Sequence, residues 1–323
     1  AAATATATFN QIFYTFTVTK SGAGTGTITS SPAGVNCGAV CTVNVAHGTT
    51  LVLTATADAN SSLAGWSGSG CTGTGTCTVT VAAAASITAT FNLTRYGLTV
   101  TKSGNGTGTV TSAPSGISCA GTCATQTATY DHGTLVTLTA APAANSTFTG
   151  WSGGGCTGTA PCTVTMTAAT SVTAGFTLNS YPLTVTLLGN ATGTVSSNPA
   201  GIDCGTDCSE IYLATTPVTL TPVAGPNAVF AGWAGGCTGT GACTVTIGSA
   251  AATVSATFNL VKPNLTVTRS GTGTGTILST PAGINCGAVC VFGFDYGALV
   301  TLNVTAGATS TFTGWTEIGR AHV

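Results

Sequence analysis

The sequence predicts an all-β protein, a tandem array of about four small, disulfide-stapled β modules forming an elongated chain. Valine, isoleucine and leucine alternate with threonine in short runs, which is typical of half-buried strands. Tryptophan, cysteine and phenylalanine recur at a near-constant interval, which indicates internal repeats. Only 4% of the 323 residues are charged and the net charge is −1, so no basic surface is available for nucleic acid.

The repeat length follows from four Gly-Trp steps, whose tryptophans are separated by 85, 82 and 82 residues. Each tryptophan follows a leucine or phenylalanine by three residues, and such clusters usually belong to a core. We therefore predict four structural core tryptophans: Trp66, Trp151, Trp233 and Trp315. The predicted boundaries are 11–92 for repeat 1, 93–177 for repeat 2, 178–260 for repeat 3 and 261–316 for a truncated repeat 4.

Both ends of the chain differ from the repeats. Residues 1–10 finish with TATFN, the string that also closes repeat 1 at Thr88–Asn92, so we expect them to be the end of a truncated upstream repeat. Residues 317–323 read EIGRAHV, which has no counterpart in the other repeats, and we expect this tail to be non-native.

Repeat 1 is predicted to contain seven short strands separated by turn residues, with one short helical turn at Ala82–Ala85. The turns include Ser31–Gly34, which reads SPAG, and the His47-Gly48 step. The predicted strands are Phe16–Thr19, Gly26–Ser30, Thr42–Ala46, Thr50–Ala57, Leu63–Ser67, Cys77–Val81 and Ser86–Phe91.

The fourteen cysteines form pairs of fixed spacing, whereas the distance between pairs varies. Fixed spacing within a pair favours two local bridges per repeat, each closing its own loop, and an oxidising compartment. The pairs four residues apart are Cys37/Cys41, Cys119/Cys123, Cys204/Cys208 and Cys286/Cys290. The pairs six residues apart are Cys71/Cys77, Cys156/Cys162 and Cys237/Cys243.

Two kinds of metal site are alternatives that the sequence offers, one on the cysteines and one on carboxylates. The two pairs of one repeat could form a Cys₄ zinc site, but the six-residue spacing is unsuitable and no local histidine completes a tetrahedron. Asp203, Asp207 and Glu210 could hold a weak calcium ion, in repeat 3 only. We favour disulfides, and no metal or other cofactor is predicted.

Catalytic motifs are weak throughout the sequence. Gly150–Gly154 match G-x-S-x-G, but repeat 3 has Ala234 at the serine position and no helix is expected to follow. His47 and His132 occupy a turn position that Tyr296 takes in repeat 4, which indicates a structural role. Carboxylates do not recur as a pair, and the glycines of Gly271–Gly275 precede no helix that could bind phosphate. No enzyme is predicted.

Several strings recur in order along the chain, among them GTVTS at Gly108–Ser112, GTLVTLTA at Gly133–Ala140, FTGWSG at Phe148–Gly153 and VTAGF at Val172–Phe176. In this order the chain resembles the divergent internalin-type (InlB) B-repeat family over nearly its whole length. The resemblance implies a bacterial module of secreted and surface proteins, with a β-grasp-like fold and no shared catalytic residues. The cysteine pairs depart from the plainest form of the family.

The predicted function is therefore a non-catalytic structural spacer or adhesive stalk, secreted or on the cell surface. Short, stiff linkers are expected at Leu93–Gly97, Leu178–Pro182 and Leu260–Pro263. The alternative is a module that binds a surface glycan or protein through the tryptophans and threonine-rich loops. Expected partners are the neighbouring repeats and such a surface ligand; neither nucleic acid nor membrane insertion of this segment is expected.

Overall fold

A computed structural model describes residues 2–38 and 41–316. These residues form 28 strands and no helix, which confirms the all-β class and its tandem organisation. Within the described ranges, no helix is long and apolar enough to cross a membrane. The chain divides into two compact units, the first ending at Thr177 and the second beginning at Leu178.

Repeat 1 contains two sheets that pack face to face. The strands are β1 (Phe13–Ser21), β2 (Gly26–Ser31), β3 (Thr42–Ala46), β4 (Thr50–Ala57), β5 (Ser61–Ser67), β6 (Cys77–Thr80) and β7 (Ala85–Leu93). The first sheet has the order β3-β1-β7-β5, and β1 and β7 are parallel at its centre. The second sheet, β2-β4-β6, is antiparallel.

Repeat 2 has the same arrangement. Its strands are β8 (Arg95–Ser103), β9 (Gly108–Ala113), β10 (Ser118–Cys119), β11 (Thr125–Asp131), β12 (Leu135–Pro142), β13 (Ser146–Ser152), β14 (Cys162–Thr165) and β15 (Thr170–Leu178). The first sheet is β11-β8-β15-β13 and the second is β10-β9-β12-β14. Strands β8 and β15 are again parallel neighbours.

Repeat 3 follows the same plan. Its strands are β16 (Ser180–Leu188), β17 (Gly193–Asn198), β18 (Asp203–Cys204), β19 (Ser209–Leu213), β20 (Pro217–Ala224), β21 (Ala228–Gly235), β22 (Cys243–Thr246) and β23 (Ala252–Leu260). The sheets are β19-β16-β23-β21 and β18-β17-β20-β22, with β16 and β23 parallel. We call β7, β15 and β23 the closing strands.

Repeat 4 is more open in the described residues. Its strands are β24 (Asn264–Thr266), β25 (Gly275–Thr280), β26 (Asn285–Cys286), β27 (Val291–Gly293) and β28 (Thr301–Ala306). The first sheet is reduced to the β24-β27 pair, and the second keeps the order β26-β25-β28. No closing strand is present up to Thr316, and the predicted tail at 317–323 lies outside the described residues.

The seven predicted strands of repeat 1 each overlap an observed strand, but the helical turn at Ala82–Ala85 is wrong. Residues 82 and 83 form a bend, and Ala85 already pairs with Phe16 in the parallel ladder. Four alanines are too few to nucleate a helix against that pairing. The structure also differs from the β-grasp arrangement implied by the resemblance, because a second sheet, and not a helix, covers the first.

The core of each closed repeat lies between its two sheets. In repeat 1, Phe16 from β1 and Phe91 from β7 meet Ile28 and Leu53 from the second sheet, and all four are fully buried. A side chain at Gly26 would collide with the ring of Phe91, and Gly108 stands in the same relation to Phe176. The recurring Gly-Thr step is therefore explained by the closing phenylalanine, which lies directly on the glycine.

A serine stabilises the turn that follows β2 and its equivalents. Ser112 Oγ donates a hydrogen bond to the Pro114 carbonyl (2.8 Å) and accepts one from the Ile117 N–H (2.9 Å). Ser30, Ser197 and Ser279 make the same two bonds in the other repeats. The SPAG-type strings are thus turns in which one serine hydroxyl bonds both a carbonyl and an N–H of the backbone.

Trp315 was predicted to lie in the core, but it is exposed in the structure. Trp66, Trp151 and Trp233 are each 5% exposed, whereas Trp315 is 39% exposed. Trp315 and Phe312 line an open cleft of about 690 Å³ between the sheets of repeat 4, together with Gly275 and Ile277. Gly275 and Gly26 are equivalent in sequence, so the cleft corresponds to the space that Phe91 fills in repeat 1.

We expect Trp151→Ala to lower the free energy of unfolding of repeat 2 by about 3 to 5 kcal/mol, because it removes the largest buried ring of that core. Trp151→Phe should cost less, because it keeps an aromatic ring beside Phe148, whose ring centroid lies 5.0 Å from that of Trp151. Chemical denaturation followed by circular dichroism measures both.

Trp315→Ala is the matched control, since the exposed ring should contribute little and leave the unfolding curve unchanged. If Trp151→Ala also left stability unchanged while abolishing binding to a glycan or surface protein, the core role of Trp151 would be refuted.

Candidate functional site

The cysteine loops lie where the chain crosses from one sheet to the other. The first loop of repeat 1 joins β2 to β3 and contains Cys37 and Cys41, and the second joins β5 to β6 and contains Cys71 and Cys77. In the structure all seven pairs are bonded locally, and the described residues include no free cysteine. Closing loops this short contributes about 2 kcal/mol each in the chain-entropy model.

The two cysteines of a first loop are not equivalent, a difference that their fixed spacing did not predict. Cys119 and Cys204 are fully buried, whereas their partners Cys123 and Cys208 are only partly buried and pack against the edge of the core. The reason is that Cys123 and Cys208 lead directly into β11 and β19, which are edge strands of the first sheet. The Cys208 carbonyl accepts from the Val185 N–H (2.8 Å), so it already extends that sheet.

In repeats 1 and 4 the first cysteine of the first loop is also more buried than the second. The second loops do not show this difference. Cys37 and Cys286 are fully buried, and Cys41 and Cys290 are partly buried. In the second loops both cysteines are buried in repeats 1 and 2, whereas in repeat 3 only the second one is. The second-loop cysteines are Cys71, Cys77, Cys156, Cys162, Cys237 and Cys243.

The tryptophans hold the second cysteine loop against the core. Trp66 Nε1 donates to the Gly75 carbonyl (2.7 Å), and the Trp66 backbone N–H donates to the Gly73 carbonyl (2.9 Å). Trp151 and Trp233 bond their own loops in the same way, to Ala160 (2.8 Å) and Gly241 (2.9 Å). Each of these rings therefore fills the core with its apolar body and uses its only donor within the repeat.

Two of the three carboxylates predicted as possible calcium ligands accept hydrogen bonds from the backbone. Asp207 Oδ1 accepts from the Ser209 N–H (3.2 Å), and Glu210 Oε1 accepts from the Ile211 N–H (2.8 Å). The described part of the chain contains no cluster of three histidine, cysteine, aspartate or glutamate side chains suited to a metal ion. Ser152, the serine of the G-x-S-x-G match, ends strand β13, and a bend follows it.

The junction between repeats 1 and 2 is a single residue. β7 ends at Leu93 and β8 begins at Arg95, so only Thr94 lies between them. The Thr94 N–H donates to the Asn60 carbonyl of repeat 1 (2.8 Å), and its carbonyl accepts from the His132 N–H of repeat 2 (2.8 Å). Both backbone groups of the linker are therefore fixed, one to each repeat.

Side chains reinforce this junction. Tyr96 Oη donates to Asn60 Oδ1 across the repeats (3.4 Å), and its ring lies 5.9 Å from that of His132. Arg95 Nε is 3.3 Å from Asp131 Oδ1, with both side chains more than half exposed, so this ion pair contributes little to stability. His132, whose turn position was predicted to be structural, holds the linker through its backbone.

The junction between repeats 3 and 4 reproduces the pattern. The Val261 N–H donates to the Asn227 carbonyl (2.9 Å), and the Val261 carbonyl accepts from the Tyr296 N–H (2.9 Å). Asn190 of repeat 3 adds a side-chain bond to Asp295 of repeat 4 (3.2 Å), and Lys262 Nζ lies 2.9 Å from the same carboxylate.

The linkers predicted from the sequence are longer than the observed ones, and the asparagines that bond the junction residues were not predicted. Most residues of the predicted linker Leu93–Gly97 belong to β7 or β8. The pairing of β7 with β5 extends to Leu93, and the pairing of β8 with β11 begins at Arg95. Asn60 and Asn227 adopt positive φ angles of 61° and 57°, a conformation that asparagine tolerates better than most residues. Both precede their tryptophan by six residues, as does Asn145, and that constant spacing could have identified them.

The outward faces of the sheets carry hydroxyl groups in place of charges. Thr99 and Thr127 pair across β8 and β11 (2.8 Å), Thr50 and Thr80 pair across β4 and β6 (2.9 Å), and Thr219 and Thr244 pair across β20 and β22 (3.1 Å). Such pairs stabilise neighbouring strands on their solvent side. The faces are therefore polar but almost uncharged.

A β-sandwich in which the first and last strands pair in parallel at the centre of one sheet, with disulfides in two of the connections between sheets, defines a small repeat module. The model of the divergent InlB B-repeat domain matches residues 16–95 and 96–180, just over half of the chain. The chain belongs to this family, and the resemblance inferred from its motifs is confirmed. No curated protein matches the sequence significantly.

Solved structures give weaker similarities. The TIE protein of Bacillus anthracis aligns with 76% of this chain at 10% identity and a TM-score of 0.42, and the chain spans about half, 51%, of that protein. Two B repeat units of the collagen-binding protein of Staphylococcus aureus align at 11% identity, 95% coverage of each chain and a TM-score of 0.21.

Local disulfide pairing predicts a simple peptide map. Neither loop of repeat 2 contains an aromatic residue or leucine, whereas Tyr130, Leu135 and Phe148 lie between the two pairs. Chymotrypsin under non-reducing conditions should release Cys119/Cys123 and Cys156/Cys162 on separate peptides. Each peptide should gain the mass of two hydrogens on reduction, as measured by mass spectrometry. A species that splits into two peptides on reduction would demonstrate crossed pairing.

Proposed function

We propose that this chain is a non-catalytic, extracellular spacer that holds another part of its protein away from a bacterial surface. The single observation that carries the proposal is the junction residue Thr94, bonded to repeat 1 through its N–H and to repeat 2 through its carbonyl. A linker of one residue with both groups bonded has little freedom to bend. Repeats joined in this way act as a stiff spacer, which a catalytic or freely jointed protein does not need.

The extracellular assignment is supported by the cysteines. Fourteen cysteines in 323 residues are unusual for a cytosolic protein, where thiols are kept reduced. Each cysteine loop connects one sheet to the other, so reduction would loosen two of the connections between the sheets of a repeat. Secretion into an oxidising environment keeps these loops closed.

The second candidate is a module that binds a surface glycan or protein. Stacking on a sugar requires exposed tryptophan rings, and the rings of repeats 1 to 3 are 5% exposed with their N–H groups already bonded. The exposed hydroxyl faces are the feature that supports this candidate, because they could contact a glycan without tryptophan. Such binding would add adhesion to the spacer role.

Distance measurement between repeats 1 and 2 tests the proposal. Spin labels on non-natural amino acids at Thr54 and Thr163, both exposed, should give one narrow distance distribution by electron paramagnetic resonance. Inserting Gly-Ser-Gly after Thr94 should broaden it, because the Thr94 bonds can no longer be made to both repeats.

The matched control inserts the same three residues after Ala83, in the exposed bend before β7. This chain should keep the narrow distribution. A broad distribution in the unmodified chain would show that the junction is flexible and would overturn the spacer proposal.

A further inference from the structure

The strand order gives each closed repeat a particular response to force. We infer that repeats 1, 2 and 3 are mechanical clamps that carry tension along the chain. The clamp itself depends only on the topology of each repeat. Its biological use depends on the proposed spacer function, since a spacer that attaches a cell to a surface is pulled at both ends.

The clamp is the parallel pair formed by the first and last strands of a repeat. β1 and β7 are paired over six registered positions, from Phe16–Ala85 to Ser21–Thr90. β8 pairs with β15, and β16 with β23, over six positions each. Because the chain enters through the first strand and leaves through the last, tension pulls directly on these two neighbours.

Parallel pairing makes this load a shear. The entry end of β1 and the exit end of β7 lie at opposite ends of the paired segment, so pulling slides one strand along the other. All bonds of the ladder then resist together and must fail in one event. In an antiparallel pair pulled from adjacent ends, by contrast, the bonds open one at a time.

The core opposes the same sliding motion. The inward side chains of β8 and β15 include Leu98 and Val100 on one strand and Val172 and Phe176 on the other, and all are at most 1% exposed. The Phe176 ring lies against Gly108 of the second sheet, where no side chain fits. Displacing β15 by one residue would move this ring off the glycine and turn polar residues inward.

Both strands are also central in their sheet. β8 is flanked by β11, and β15 is flanked by β13, so neither clamp strand can peel from an edge. The cysteine loops lie outside the clamp, between strands further along the repeat. The resistance to force therefore depends on strand pairing, and the disulfides only shorten the length released afterwards.

Single-molecule stretching of the full chain from its two ends tests the inference. We expect three force peaks of similar height, one for each closed repeat. Repeat 4 should extend without a comparable peak, since β24 pairs only with β27 in the described residues. Each peak should release roughly 230 Å, because about 80 residues extend at about 3.5 Å each, less the closed loops and the folded length.

Reduction separates the two contributions. With the disulfides opened, each peak should release about 25 Å more chain, from loops spanning 4 and 6 residues, at an unchanged peak force. A large drop in peak force on reduction would show that the disulfides bear the load, which would overturn the clamp.

A second pulling direction, through handles attached at two positions inside repeat 2, provides the matched comparison. Leu135 on β12 and Thr165 on β14 are antiparallel partners with exposed side chains, so handles at these two positions open that pair from one end. Repeat 2 should yield at a clearly lower force in this direction than when pulled from the chain ends. Equal forces in both directions, or absence of the three peaks, would refute the clamp.

These outcomes are independent of the spacer test. Three strong force peaks with a broad distance distribution between the labels at Thr54 and Thr163 would keep the clamp and reject the stiff spacer. A narrow distance distribution with weak force peaks would keep the stiff spacer and reject the clamp.

Discussion

The parallel pairing of the first and last strands of each repeat is the constraint on which the remaining structure depends. It places β1 and β7 at the centre of the first sheet, where both contribute one face to the core. Phe91 on the closing strand then reaches across to Gly26 of the second sheet and fills the space between the layers. In repeat 4, where no closing strand is described, that space is an open cleft and Trp315 becomes partly exposed.

Hydrogen bonds and disulfides within each repeat stabilise the loops that connect the paired strands. Ser112 and its equivalents stabilise the turn after the first strand of the second sheet, and the disulfides close two of the connections between the sheets. Trp151 connects these features, because its ring lies in the core while its N–H holds the second cysteine loop. A repeat of about 82 residues buries a limited apolar surface, so such bonds matter more than in a larger domain.

Much of the module could be predicted from the sequence because its signals are local. Alternation of valine and threonine located all seven strands of repeat 1, and fixed cysteine spacing indicated local loops. The order of strands could not be derived, since the parallel pairing of Phe16 with Ala85 joins distant parts of the chain. For the same reason the spacing could not show that Cys123 and Cys208 lie at the edge of the core, because the position of an edge strand depends on that order. The role of Asn60 was missed because its partner lies in the next repeat.

The single-residue junction also bears on how such arrays change during evolution. A repeat begins and ends on neighbouring strands of one sheet and meets the next through Thr94 or an equivalent short connection. Unequal recombination that adds or deletes one whole period at such a junction therefore needs no new interface, because Thr94 and Val261 make the same two backbone bonds. For the proposed spacer, duplication of one period within the gene would then add a repeat while each folded repeat stays unaltered.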